Sequence, residues 1–234
     1  MRLYIIRHAD PDYENNTITP QGHIEAKALA KRMHKEGIDK IYSSPMGRAL
    51  DTMKYTSEIL EIEPNIEEWT KEHSDIYIEL KDNKRIFGLN LHGEYIREDL
   101  SLLNYEDWHK LSYFKDIDIK DIFQNVVKGS DEFIKRHGYE RVGGKYRCIN
   151  PTNEKIAIFC HGGFGLTWLS HLLEIPLPLM WSGFWLPTSS VTTVLFDRRT
   201  PNWAVPRCIG LADTSHLYAD GLEVLPRGIV QNYY

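Results

Sequence analysis

Cysteine is scarce in this chain, with only Cys148, Cys160 and Cys208 among 234 residues. The number is odd and no two form a CxxC pair, so no disulfide framework is expected and a reducing compartment is. No run approaches the ~18 consecutive apolar residues of a spanning helix, which excludes an integral helical membrane protein. Charge of one sign is missing too: 28 basic and 33 acidic residues are interspersed, for a net −5. That argues against nonspecific nucleic-acid binding and leaves room for a local basic pocket around a small anion. The chain enters a strand at once, so no signal peptide is expected, and the Asn15-Asn16-Thr17 sequon reads as chance. The expectation is a cytoplasmic globular protein.

What is present is ordinary and sufficient. A hydrophobic fraction of 42% supports a real core, and 26% charged residues suits a soluble domain. "LYII" reads as a short buried strand that ends in Arg7-His8. In "TPQGHIEAKALAKRMHKEG" Thr19 suits a helix cap, Pro20 the first position and Gly37 the stop. "IDKIYSS" is a second strand. In the helix that follows, Ser44 is expected to cap, Pro45 to take the first position, and Arg48 to lie one turn in. Met46, Leu50, Met53, Ser57 and Leu60 would share a face of it. From about residue 64 to 150 aromatic and charged residues mix densely, read as a mainly helical insertion over one end of the sheet. "EKIAIFCHGGFGLTWLSHLL" then gives a buried strand, a glycine turn and a helix, and "SSVTTVLFD" another strand. Strand and helix in alternation predict an α/β fold with parallel strands. One domain over 1–234 is expected, with a core of about 1–62 and 152–234.

Three strand ends carry the chemistry: Arg7-His8, Ser43-Ser44 followed by Arg48, and Cys160 followed by His161-Gly162-Gly163. At the carboxyl ends of parallel strands such groups converge on one crevice. Two histidines, two arginines and helix N-termini make a phosphate site, because the N-termini supply unpaired N–H groups and arginine a planar fork of donors.

"LYIIRHA", "YSSPMGRALDT" and "FCHGGF", in this order, resemble the histidine phosphatase superfamily, also called phosphoglycerate mutase-like. The likeness covers roughly 1–62 and 155–216 and implies a three-layer α/β/α sandwich around a mostly parallel sheet. It implies that His8 is the nucleophile, forming a phosphohistidine, and that Arg7, Arg48, His161 and Gly162 hold the phosphate. It implies no cofactor and no metal, since the cationic pocket neutralises the phosphate. Gly162 follows His161, which excludes the branch with an aspartate acid there. The other branch takes a glutamate from beyond the second helix. In "NIEEWTKEHSD" Glu72 fits that place, with Thr70 where the family has leucine; Glu68 is the runner-up, and Glu67 and Asp75 stay open. The acid needs a raised pKa.

Other residues read more plainly. His92 lacks a buried strand before it and His216 suits a packing role. Trp181, Phe184 and Trp185 suit ordinary helix packing, Arg85 and Arg97 solvation, and Cys160 a small buried position. Three functions follow from the resemblance: a phosphomonoesterase on a small phosphate ester, a phosphoglycerate mutase-type phosphotransferase, or a silent phosphate-binding module. Glu14 stands where the mutases carry an asparagine, and a carboxylate there would repel the anion. Substrate, oligomeric state and the role of the C-terminal "PRGIVQNYY" are left open.

Overall fold

The structure, a computed structural model, describes residues 1–80 and 84–229. In chain order the strands are β1 (Arg2–Arg7), β2 (Pro11–Asp12), β3 (Thr17–Ile18), β4 (Lys40–Ser43), β5 (Asn65–Ile66), β6 (Tyr77–Glu79), β7 (Arg85–Phe87), β8 (Tyr139–Val142), β9 (Lys145–Cys148), β10 (Lys155–Cys160), β11 (Val191–Asp197) and β12 (Trp203–Asp213). The α-helices are α1 (Pro20–Glu36), α2 (Gly47–Leu60), α3 (Gly93–Ile96), α4 (Ile119–Arg136), α5 (Gly162–Leu173), α6 (Leu177–Gly183) and α7 (Ser215–Ala219).

One sheet runs β5-β4-β10-β1-β11-β12-β9-β8. Its first four strands are parallel, and these carry all three strand ends read from the sequence. The other half is antiparallel because β11 returns to β12 through 198–202, too short for a crossover helix. The β8–β9 hairpin extends the far edge.

Side-chain alternation along the strands makes the layers. Tyr4, Ile6, Ala157 and Phe159 face Leu29 and Met33 of α1 and Met53 of α2. Leu3, Ile5, Ile156 and Ile158 face the opposite way, into a cluster with Phe133 of α4 and Phe164 and Trp168 of α5. Residues 64–150 contribute to that second layer through α4 and through Trp108 and Phe114. No α-helix of the described residues is long and apolar enough to cross a membrane.

The α1 ends are as expected. Thr19 accepts the Gly22 N–H at 3.0 Å, and Gly37 takes the left-handed conformation at φ 70°. The start of α2 differs. Ser44 and Pro45 lie outside the helix, Met46 is the capping position, and Arg48 is the second helical residue. Two contacts explain the shift. The Ser44 hydroxyl accepts the Met46 N–H at 3.3 Å and lies 2.8 Å from His161 Nε2, so it is occupied elsewhere. Gly47 presses on the Asn16 carbonyl so closely that a Cβ there would collide, which fixes where the helix begins. Met53 is buried on α2, and Leu50 and Leu60 pack half-buried beside it.

Candidate active site

Backbone pairing brings the three strand ends together. The His8 N–H donates to the Cys160 carbonyl at 2.9 Å, and the Ser44 N–H donates to the Phe159 carbonyl at 2.8 Å. The rings of His8 and His161 stand 5.3 Å apart between centroids. Arg7, His8, Ser44, Arg48 and His161 are all buried.

Each ring and guanidinium is fixed by one side and leaves another side unspent. His8 Nδ1 donates to the Ala9 carbonyl at 2.8 Å. A carbonyl only accepts, so Nδ1 carries the proton and Nε2 the lone pair. Arg7 Nη1 donates to the carbonyls of Leu186 (2.5 Å) and Arg227 (3.1 Å). Arg48 Nη1 donates to Asn16 Oδ1 at 3.1 Å, and its guanidinium lies 5.4 Å from the Tyr13 ring centre. Arg7 Nε, Arg48 Nε and His161 Nδ1 are buried with no hydrogen-bond partner. Buried donors of this kind call for an explanation, and three around one histidine suit a tetrahedral oxyanion.

Electrostatics favour the same ligand. Burial pushes the His8 imidazole well below its ordinary range, and the Arg7 and Arg48 charges push it further. His161 is likewise held well down, by burial first and then by the other cations against the pull of Glu72. Both rings are neutral at neutral pH, and positive charge on Arg7 and Arg48 is left for an anion.

Among the four carboxylates the spacing left open, the fold brings Glu72 to the pocket. Its Oε2 accepts from the Gly163 N–H at 3.0 Å and its Oε1 from the Phe164 N–H at 2.7 Å, at the start of α5. A Cβ at Gly163 would stand 2.7 Å from Glu72 Oε1, so the second glycine of "HGG" makes room for the carboxylate. The others are placed elsewhere. Glu67 holds Arg136 and Trp69, Glu68 is exposed beside Lys71, and Asp75 is exposed. Thr70, the departure from leucine, is buried with its hydroxyl on the Glu67 carbonyl at 2.7 Å. The raised pKa expected for the acid is not what the free site gives. Burial pushes the Glu72 carboxyl up, but His161, His73 and the backbone N–H groups outweigh it, so it lies below its usual value.

A second correction concerns Glu14. It is exposed, and the amide beside Arg48 belongs to Asn16, which turns in at φ 52° between β2 and β3. An amide side chain thus does stand beside Arg48, supplied by Asn16. Motif spacing missed Asn16 because a turn, not a fixed offset from His8, delivers it. Also missed were Tyr13, edge-on to His8 at 6.4 Å between centroids, and the Ser44 contact with His161. Asp10 and Arg227 were missed as well, and pair at 2.6 Å.

The remaining candidates lie apart. His92 is half exposed near Glu94, and His216 is buried against Ser189, with burial pushing it down to about 4. Trp181 packs in α6 with its Nε1 donating to Thr167 Oγ1. Phe184 is exposed, while Trp185 Nε1 donates to the Arg227 carbonyl. Arg85 covers Tyr77, and Arg97 bonds to Gly93 and Ser182. Cys160 is fully buried, and burial drives its thiol far up. Of "PRGIVQNYY", residues 230–234 lie outside the described residues, and Arg227 and Gly228 sit against Arg7.

Comparison with known proteins reaches the first two of the three strand ends through a family model. A model of the histidine phosphatase superfamily (branch 1) matches residues 3–75. A Hydrogenobacter thermophilus protein named "Putative phosphoserine phosphatase 2" is 34% identical over 82 residues, 31% of this chain and 40% of that one. A Schizosaccharomyces pombe protein named "Probable phosphatase" is 25% identical over 183 residues, 74% of each chain. The chain thus spans well under two thirds of the first relative and about three quarters of the second. Among solved structures, a phosphoserine phosphatase variant from Entamoeba histolytica, in complex with phosphoserine, superposes with a TM-score of 0.61. The identity is 22%, over 92% of this chain and 98% of that one, which shows a shared fold.

Proposed function

We propose that this chain, whose residues 3–75 match the histidine phosphatase superfamily (branch 1), is a phosphoric monoester hydrolase working through a phosphohistidine on a small phosphorylated metabolite. One observation carries the reading: three buried nitrogens without partners, Arg7 Nε, Arg48 Nε and His161 Nδ1, surround a histidine whose Nε2 holds a free lone pair.

In this mechanism the ester phosphate sits on the open edges of Arg7 and Arg48. His8 Nε2 attacks phosphorus, the bond from phosphorus to the ester oxygen breaks, and charge gathering on the other oxygens is held by Arg7, Arg48 and His161. The departing oxygen takes a proton from Glu72. In the free site Glu72 is a carboxylate, but a phosphate dianion seated beside it disfavours that charge and raises its proton affinity. Water then attacks the phosphohistidine, Glu72 takes its proton, and the bond from phosphorus to nitrogen breaks to release phosphate. Neutralisation rests on the guanidinium groups, so the step calls for no metal. Cysteines that are all free suit work in the cytoplasm.

Asn16 beside Arg48 favours a second reading as a phosphoglycerate mutase-type phosphotransferase. Phosphate release from phosphoserine, 3-phosphoglycerate and p-nitrophenyl phosphate, in the presence of chelator, decides between them. A hydrolase releases phosphate from at least one ester, and His8→Ala abolishes both release and acid-labile phosphoryl labelling. Phosphoryl exchange between phosphoglycerates without net release would establish the mutase. Full activity in His8→Ala would overturn the mechanism. Glu72→Gln is expected to lose far more rate on alkyl esters than on the nitrophenyl ester, whose leaving group departs without a proton; equal losses would move the acid elsewhere.

A further inference from the structure

Arg227 is tied to both residues that flank the Ala9-His8 pair. Its carbonyl accepts from Arg7 Nη1 at 3.1 Å and from Trp185 Nε1 at 3.0 Å. Its side chain reaches Asp10, with Nε at 2.6 Å from Oδ1 and Nη2 at 3.3 Å from Oδ2. Asp10 is 2% exposed and also accepts from the Thr19 hydroxyl at 2.7 Å. A buried carboxylate needs such partners, so the plain reading is a clasp that pins the C-terminal segment.

A clasp accounts for only one edge of the guanidinium. Asp10 takes the side edge, Nε with Nη2. The end edge, Nη1 with the second proton of Nη2, makes no hydrogen bond to the described residues, and the side chain is 52% exposed. An arginine whose side edge is locked by a buried aspartate presents its end edge at a fixed angle, already ordered before any ligand arrives. Tyr13, 64% exposed and near enough to Arg227 to interact with it electrostatically, faces both His8 and Arg48. The phosphate pocket is therefore bordered by a planar, preordered, cationic fork that the phosphate chemistry itself does not use.

We propose that Arg227 is a specificity-determining residue that reads a carboxylate on the organic part of the substrate, so that the enzyme's esters are phosphorylated hydroxy or amino acids. A carboxylate matches one free fork in shape and charge, with two parallel N–H···O bonds. This rests on the phosphomonoesterase reading above. Asp10 is the positioning residue that aims the fork.

Phosphoserine and phosphoethanolamine differ by the carboxylate alone, so their ratio of kcat/KM isolates this contact. Any loss shared by both, through the Arg227 carbonyl on Arg7, cancels in the ratio. Wild type is expected to prefer phosphoserine, and Arg227→Met to lower that preference roughly tenfold or more, the worth of a charged hydrogen-bond pair. Arg227→Lys should fall between. Since Arg227→Met strands a buried aspartate, the double variant Asp10→Asn with Arg227→Met is measured beside it and should lose the same preference. A ratio unchanged within about twofold in a folded variant overturns the proposal. The ratio of dissociation constants for the two esters, measured in His8→Ala with and without Arg227→Met, makes the test independent of turnover. Selective phosphoserine binding that vanishes with Arg227 upholds the proposal even if the hydrolase reading fails. Equal binding of both esters in His8→Ala overturns it while leaving hydrolysis to its own assay.

Discussion

His161 and His171 stand at the two ends of α5, both buried and both held below the ordinary imidazole range with burial as the first cause. Their hydrogen bonds separate them. His171 lies 2.9 Å from Asp131 through Nε2 and 3.3 Å from the Tyr105 hydroxyl through Nδ1, so both nitrogens are engaged. His161 meets Ser44 through Nε2 and leaves Nδ1 with nothing. A buried polar atom without a partner costs about 1–3 kcal/mol, so it persists where another molecule completes it. An orphan nitrogen is not sufficient by itself, since His137 and His216 also have one each. What distinguishes His161 is that the orphaned Nε atoms of Arg7 and Arg48 belong to the same cluster around His8.

Breaking each histidine tests that contrast most strongly. His161→Ala is expected to lower kcat/KM roughly 10²–10³-fold, the scale of one lost donor to an oxyanion, with little change in stability. His171→Ala is expected to do the reverse. It strands Asp131 and Tyr105, lowers unfolding free energy by about 1–3 kcal/mol, and leaves kcat/KM within a few-fold. Urea denaturation and phosphate-release kinetics on both variants give the comparison. Similar losses of rate in the two would remove the distinction.

Two carboxyls sharpen it in a second currency. Glu72 is pushed down, against its burial, by His161 and His73 and then by its backbone hydrogen bonds, whereas Glu25, fully buried, is pushed up to about 7 by burial. Glu25 accepts the Asp10 N–H at 3.1 Å and faces Thr188. Its folded pKa lies above the unfolded value of 4.5, so between these the folded state binds more protons. The stability it contributes is complete below pH 4.5 and is lost as pH rises through about 7, on the order of 3 kcal/mol. Buried histidines such as His216, pushed down to about 4, act oppositely and lose stability as pH falls from 6.5 toward 4. They are common to wild type and Glu25→Gln, so the difference between the two proteins isolates Glu25. The variant is expected to be less sensitive to the change from pH 5 to pH 8 in chemical denaturation. Parallel curves would mean that Glu25 is ionised throughout.

The strand ends were legible because their signals are local. An apolar run followed by Arg7-His8, and another followed by His161-Gly162-Gly163, place their own side chains at the sheet's edge. The start of α2 was misread because Ser44 has the chemistry of a cap but is drawn off by a histidine 117 positions away. Distance in sequence also hid Arg227, which is 217 positions from Asp10. The resemblance favoured Glu72 but left Glu68, Glu67 and Asp75 open, since the short 3-10 turn Glu68–Thr70 decides which carboxylate faces α5. Periodicity finds elements and their ends, and side-chain hydrogen bonds between elements leave no periodic trace.

Ser44 gives the finest version of the comparison, since among the described residues it makes the side-chain hydrogen bond to the His161 ring. Its hydroxyl accepts the Met46 N–H and meets Nε2 at 2.8 Å; with the hydroxyl proton on that contact, the ring carries its own proton on Nδ1, as a donor for a phosphate oxygen. Ser44→Ala frees the ring to take the other tautomer and to turn. The expected loss in kcat/KM is about tenfold, equivalent to ~1.4 kcal/mol and to one ordinary hydrogen bond. A merely structural serine would shift the melting midpoint and leave the kinetics alone. The decisive readout is inhibition by inorganic phosphate, which should weaken in step with kcat/KM while the unfolding midpoint stays near wild type. Kinetics unchanged in a destabilised variant would show that His161 is oriented by its packing and not by Ser44.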